Sequence, residues 1–373
     1  MGKILIKAIL WSLIAAVTLE LCARLDDWAT YGAPLLGNYD NSNLNAFDAI
    51  GNRGKPNAHY LKWKLNSLGF RGPELDPNLP KLMCVGSSET FGQTEPEGME
   101  WPRQVERLLK GVQVVNTGFA GETFPTSVKR LPERLATVKP VAVLLYPSVA
   151  HYLSVPYVHY AGPPPPPRPV PRMLSRLETV FKQVVPLKLM TYLRQRQIAR
   201  DAPAYGPLLD NIPPDLAARF EKDLQTAARL IREAGAQPIF ITHANRFGKT
   251  VTPEERFMLI SWRRFYPNLR EEGFLPMETT MNNIIRHVAM DEGAPLIDAA
   301  PEMPRGPRYF SDFVHFTAEG ATIFSRFVRS LIFCFEFVFS ISRRIFSASV
   351  GRSMCPSSFL IASAPMSASK SAP

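Results

Sequence analysis

Residues 81–92 read KLMCVGSSETFG. Positions 82–85 form an apolar run of four, closed by Gly86 and a pair of serines. A run this short, with no polar residue alternating through it and small residues behind it, reads as a strand buried on both faces of a sheet. Ser87 and Ser88 then stand where that strand gives way to a helix, at an edge where backbone N–H groups are still free.

Outward from this stretch the same alternation recurs. Residues 101–110 have helical spacing, 112–116 are apolar and run into GFAG, and 125–138 are helical and stop before Pro140. Residues 141–146 are a third apolar run. Pro213 and Pro214 open an amphipathic helix that reaches Glu233; 238–242 make a fourth strand, 277–292 a helix ended by Gly293, and 296–298 a fifth strand. Short buried strands separated by helices predict a parallel α/β sheet covered on both faces. Function in such sheets gathers at the carboxyl ends of the strands, so the loops after Val85, Asn116, Tyr146 and Thr242 are where chemistry is expected. No internal repeat is visible.

Composition narrows the classes. The chain has 373 residues, 46% apolar and 20% charged, enough to bury a full core and too apolar for a disordered chain. Four cysteines with no CxxC or Cys/His cluster leave neither a disulfide scaffold nor a metal site, and no cofactor motif stands out. The 43 basic against 33 acidic residues give +10. Part of that excess lies in the last segment, and no basic helix or aromatic stacking motif accompanies it, so no nucleic-acid partner is expected. Anionic lipid is the milder partner.

The ends differ from the middle. Residues 8–19 carry no charge; Lys3 and Lys7 precede them, and Asp26 and Asp27 follow Arg24. This predicts a membrane anchor in residues 1–27, with the N-terminus cytoplasmic and the rest extracytoplasmic, as at a bacterial inner membrane facing the periplasm. A cleaved signal competes, although no A-x-A site follows and Leu19-Glu20-Leu21 before Cys22 is a poor lipobox; a buried helix is the third reading. Residues 28–65 are expected to be a linker or extension and 66–329 the main domain, in which the proline-rich stretch 162–172 is a polyproline insertion. After Glu336 no acidic residue occurs, and 330–373 are expected to lie outside the fold.

Three segments carry chemistry. GSSETFG (86–92) offers Ser88 at a strand-to-helix junction, where a nucleophile is useful. NTGFAGET (116–123) lets backbone approach a ligand closely. DFVH (312–315) sets Asp312 and His315 three apart, a base for a serine hydroxyl and a carboxylate to fix its tautomer. Each alone is equally a turn or a capped helix; together, in this order on this sheet, they are more specific.

These blocks resemble those of the SGNH, or GDSL-like, hydrolases: Gly-x-Ser-x-Thr, Asn-x-Gly-x-x-Gly and Asp-x-x-His. NSLGFRGPEL (66–75) is similar to the segment leading into the first strand of membrane-tethered members. The resemblance covers about 66–327 and implies a three-layer α/β/α sandwich with a flavodoxin-like parallel sheet. It further implies Ser88 as nucleophile, His315 as base, Asp312 as its partner, the N–H groups of Ser88 and Gly121 as oxyanion donors, and a structural Gly118. The third block departs. Where Gly-x-Asn-Asp should follow the strand VAVLLY, the chain reads PSVAHY, with Ala150 in place of the oxyanion asparagine. Losing one such donor costs about 3–4 kcal/mol of transition-state stabilisation, and His151 or Ser148 are the candidate replacements; His151 otherwise reads as a surface or capping residue.

Among lesser candidates, His243 and Asn245, with Arg246, end the fourth strand and are expected to contact substrate. Asp298 should cap or position a loop, Glu89 should favour the start of its helix, and Cys84 should be a buried thiol. His59, His159 and His287 read as surface residues. The implied activity is a serine esterase that cleaves O-acyl, chiefly acetyl, esters of a small molecule or an envelope polysaccharide. An O-acyltransferase with the same triad and a catalytically weak envelope binding protein are the alternatives.

Overall fold

The computed structural model describes residues 2–147, 149–153 and 208–336, apart from positions 249, 264 and 267, together with 171–177 and a few single positions within 154–207. The chain opens with helix α1 (Gly2–Tyr31). Two small antiparallel hairpins follow, β1 (Asn45–Phe47) with β2 (Asn52–Gly54) and β3 (His59–Tyr60) with β4 (Trp63–Lys64). The main body then alternates. It runs β5 (Lys81–Gly86), α2 (Ser88–Phe91), α3 (Trp101–Leu108), β6 (Gln113–Asn116), α4 (Phe124–Val138), β7 (Ala142–Tyr146), α5 (Pro214–Glu233) and β8 (Gln237–Ile241). It ends with α6 (Pro253–Trp262), α7 (Phe274–Asp291), β9 (Leu296–Ile297), α8 (Ala299–Glu302) and α9 (Ala318–Glu336).

β5 to β9 form one sheet in the order β6-β5-β7-β8-β9, parallel throughout. The order is flavodoxin-like: the chain leaves β5 to one side for β6 and to the other for β7. The crevice at the carboxyl ends of β5 and β7 is therefore the switch point where such sheets hold ligands. Residue parity along each strand sorts the core into two layers. Met83, Val85, Val143, Leu145 and Phe240 face α4, α5 and α7. Leu82, Cys84, Leu144, Ile239 and Ile241 face α3 and α9. This is the expected α/β/α sandwich with its five strands, each within two residues of the sequence-based bounds.

Residues 28–65, expected to be a linker or extension, carry two hairpins. The two hairpins bring Leu44, Ala58 and Leu65 against Phe91 and Phe119 in a third apolar cluster. Buried Arg130 on α4 donates to both carboxylate oxygens of Asp48 at 2.8 Å and to the Gly51 carbonyl at 2.9 Å, and holds that carboxyl well below the usual carboxylate range. Strands of two or three residues carry no periodicity and so leave no pattern to read.

Helix α1 continues past residue 27 because its last turns are held by polar contacts. Arg24 bonds Glu20 at 2.8 Å and the carbonyls of Leu35 and Gly37 at 2.7 and 3.1 Å. Arg176 bonds Asp27 at 2.6 Å. At the other end, α9 runs through Glu336 rather than stopping at residue 329, and Ile332 packs on the core layer that holds Phe324 and Val328. Residues 162–170 of the proline-rich stretch, residues 337–373 and His159 lie outside the described residues.

Candidate active site

α2 sits directly on the end of β5, and the approach is closer than any side chain but hydrogen allows. A Cβ on Gly86 would lie 2.0 Å from Thr90 Oγ1, and one on Gly118 would lie 2.8 Å from Thr90 Cβ. Buried Arg71 fixes the far end of α2. It donates to the carbonyl of Phe91 at 2.9 Å and to that of Gly92, and its guanidinium lies 3.3 Å from the Glu100 carboxylate. The result is a half-buried Ser88 in the first turn of α2, beside the switch point.

The distant loop arrives at the same place. His315 Nε2 is 2.8 Å from Ser88 Oγ, and His315 Nδ1 is 2.7 Å from Asp312 Oδ2. The other Asp312 oxygen accepts the N–H groups of Val314 and His315 at 3.1 and 3.0 Å, which locks the carboxylate in place. Thr94 Oγ1 donates to the Phe316 carbonyl at 2.5 Å, joining this loop to the one after α2. Burial opposes a charge on His315, but Asp312, with Glu89 and Glu95 beyond it, outweighs burial and raises the ring to about 9. Asp312 is pushed up by burial and pulled lower overall by His315. An imidazole hydrogen-bonded to a hydroxyl on one nitrogen and to a carboxylate on the other can take that hydroxyl's proton and be steadied as it does so.

Gly121 lies on the next loop, exposed, with φ +80°. That left-handed conformation suits glycine alone. The loop is anchored from below by buried Glu122, which accepts from Arg134 at 2.9 and 2.7 Å and from Ser127 Oγ at 2.7 Å. The hairpin strand β2 braces it from above through Asn52 Nδ2, which donates to the Ala120 carbonyl at 3.1 Å. Gly118, buried, is positioned by its N–H to Asn116 Oδ1 at 3.2 Å.

Ala150 is buried and offers no donor. His151 beside it is not a surface residue. Its Nε2 lies 3.4 Å from Ser87 Oγ, beside Ser88. Burial lowers its ring to about 4 against the opposing pull of Glu89, which favours the neutral imidazole. Ser148 lies outside the described residues.

His243 and Asn245 do not face an open pocket, contrary to expectation. His243 is 1% exposed and its backbone is clamped by Asn282. Its Nδ1 lies 3.0 Å from Glu278 Oε2 and its Nε2 lies 3.5 Å from Glu89 Oε1. Asn245 is spent internally, accepting from the Phe247 N–H and donating to Glu278 at 3.4 Å. Arg246 is half-buried, with its N–H bonded to the Phe313 carbonyl. Glu89 lies in the first turn of α2, as expected, and is a buried carboxylate 3.2 Å from Ser88 Oγ. Burial pushes it up, yet His243 and His315 hold it well below the usual range. Glu278 and Arg71 were not singled out as site residues in the sequence; Glu278 partners His243, 35 residues away, and Arg71, within the NSLGFRGPEL segment, partners carbonyls 20 or more residues downstream. Cys84 is a buried thiol whose burial raises it. Asp298 accepts from Thr242 Oγ1 and from Arg286, a loop-positioning role. His287 is exposed, whereas His59 is half-buried and bonds the Leu61 carbonyl. Among the described residues no cluster of three His, Cys, Asp or Glu side chains is arranged to hold a metal ion.

Solved structures that the chain resembles include GDSL/SGNH-type acylhydrolases. One is a lipase/acylhydrolase from Enterococcus faecalis, at 18% identity and TM-score 0.41, covering 68% of this chain and 95% of that one. Another is a GDSL-like lipase from Bacteroides thetaiotaomicron, at 15% identity and TM-score 0.38, covering 69% and 89%. A third is a variant of an acetyl-xylooligosaccharide esterase from a Geobacillus, at 16% identity and TM-score 0.38, covering 67% and 92%. No family model and no curated sequence matches the chain. The flavodoxin-like architecture rests on the strand order of this chain itself.

Proposed function

We propose that the protein is an SGNH-like serine ester hydrolase. The observation that carries the reading is the Ser88–His315–Asp312 chain of 2.8 and 2.7 Å contacts, made between loops 227 residues apart at the sheet's switch point. In this reading His315 takes the Ser88 proton as Oγ attacks an ester carbonyl, and the C–O bond to the alcohol breaks as His315 returns the proton to it. Water then repeats the sequence on the acyl-serine and regenerates the free hydroxyl. The N–H groups of Ser88 and Gly121 receive the oxyanion, with the neutral His151 ring as third donor where Ala150 cannot serve.

The same reading makes the enzyme membrane-anchored. The segment Lys3–Tyr31 is 29 residues long and apolar, about 44 Å as a helix, which is enough to cross a hydrocarbon core of about 30 Å. Ile4, Leu10, Trp11 and Val17 are exposed along its first two thirds, and the polar contacts begin at Glu20. Lys3 and Lys7 ahead of the apolar run support a domain outside the cytoplasm by the positive-inside rule, and O-acetyl esters on an envelope polysaccharide are the proposed substrates.

The test is turnover of p-nitrophenyl acetate by the full chain in detergent. Turnover that Ser88→Ala abolishes supports the hydrolase. Turnover equal to that of Ser88→Ala, from folded protein, overturns it.

A further inference from the structure

The nucleophile has a second carboxylate beside it. Ser88 Oγ lies 2.8 Å from His315 Nε2 and 3.2 Å from Glu89 Oε2. A serine hydroxyl has one proton and can donate to only one of them. Glu89 is in turn the end of a buried row. Its Oε1 lies 3.5 Å from His243 Nε2, and His243 Nδ1 lies 3.0 Å from Glu278 Oε2. All three side chains are at most 4% exposed, and Tyr146 stacks on the histidine ring at 5.3 Å. A buried histidine between two carboxylates stays an imidazolium, and a buried carboxylate keeps its charge only when so paired. A hydrophobic side chain would fill the same space below α2 without this arrangement.

We propose that Glu89 is a positioning residue: in the resting site it accepts a hydrogen bond from the Ser88 hydroxyl, and its charge favours the doubly protonated form of His315, so that the base is released at a higher pH than it would be without that carboxylate. This inference rests on the serine-hydrolase reading and says how that site is regulated. In the resting arrangement His315 Nε2–H donates to Ser88 Oγ, and Ser88 O–H donates to Glu89. When His315 loses its Nε2 proton to solvent, the Ser88 hydroxyl turns from Glu89 to the freed nitrogen and attack becomes possible. The charged or titratable groups around His315 are Asp312 on its own loop, Glu89 on α2 and Glu95 on the loop after α2. Those around Glu89 are His243 after β8, His151 after β7 and His315. Arg71 faces Glu95, which burial pushes up to about 7 against the pull of that arginine. Near neutral pH the full negative charges beside His315 are thus Asp312 and Glu89, and Glu89 alone also touches the nucleophile.

The experiment measures the rate at which diisopropyl fluorophosphate labels Ser88 in the full-length protein from pH 6 to 10, read by intact mass. In this labelling Ser88 Oγ bonds to phosphorus and fluoride leaves. The expected result is that Glu89→Gln moves the midpoint of the rise to lower pH by about one unit, while Glu89→Asp, which keeps a carboxylate, returns it toward wild type. A Glu89→Gln profile that superimposes on wild type overturns the inference and leaves the hydrolase reading intact. Absence of Ser88 labelling in the wild type at every pH overturns both. Should Glu89→Gln fail to fold, the ring nitrogens of His315 in the unaltered chain decide by ¹⁵N NMR. Both protonated at pH 7 is the expected state, and one unprotonated overturns the inference.

Discussion

Arg134 meets Glu122 through two hydrogen bonds of 2.9 and 2.7 Å, and both side chains are buried. The pair lies beneath the loop that presents the Gly121 N–H, so a helix residue on α4 sets the position of a proposed oxyanion donor. Arg134→Met leaves the Glu122 carboxylate buried without its partner, which costs about 3–5 kcal/mol. The expected outcome is a lower thermal midpoint together with lower kcat on p-nitrophenyl acetate in whatever fraction remains folded. A stable, fully active Arg134→Met would show that the pair does not set the loop.

The pH dependence of the wild type follows from His315. With its ring raised to about 9 by Asp312, Glu89 and Glu95 against burial, the free enzyme carries an imidazolium at neutral pH, which cannot accept the Ser88 proton. kcat/KM should therefore climb about tenfold per pH unit from 6 toward 8 and level off near 9. Asp312→Asn should lower kcat by about 10⁴. A plateau already reached at pH 7 would contradict the first expectation.

The proposed third oxyanion donor has its own test. His151 is half-buried, holds its Nε2 3.4 Å from Ser87 Oγ, and is neutral with its ring lowered by burial to about 4. His151→Ala should cost about 10²–10³ in kcat with little change in KM, because the lost hydrogen bond forms only as charge develops on the carbonyl oxygen. His151→Asn should recover part of it. A loss confined to KM would place His151 in substrate binding instead.

The sheet was legible because each strand is a short apolar run bounded by glycine or proline, and because burial on both faces removes any alternation that could suggest otherwise. Ser88, Asp312 and His315 were legible as candidates because each carries its signal within a few neighbouring residues. Glu89 stands in the first turn of α2 as expected, but its pairing with a histidine on the loop after β8 is not legible locally. His243 was read as pocket-lining from its position at a strand end. The adjacent Thr242 instead points to Asp298, and the His243 ring turns inward onto Tyr146. The two hairpins leave no local trace, and Arg71, although inside the quoted NSLGFRGPEL segment, shows no sign of its carbonyl partners 20 to 25 residues downstream.

The buried row beneath the nucleophile also makes stability depend on pH. Burial disfavours the charge on His243, but Glu278 and Glu89 outweigh it and raise the ring to about 10 from its ordinary 6.5. A group whose folded value is raised contributes its full stability below the unfolded value and loses it as pH rises through the folded one. His243 therefore stabilises the fold fully below about pH 6.5 and progressively less up to about 10, and His315, raised to about 9, acts in the same direction. The thermal midpoint followed by circular dichroism should fall steadily between pH 7 and 10. His243→Gln should lower the midpoint at pH 6.5, where it strips a partner from two buried carboxylates, and flatten the slope above it. A variant whose curve runs parallel to wild type across that window would mean that His243 is neutral in the folded protein and that Glu89 draws its charge stabilisation from elsewhere.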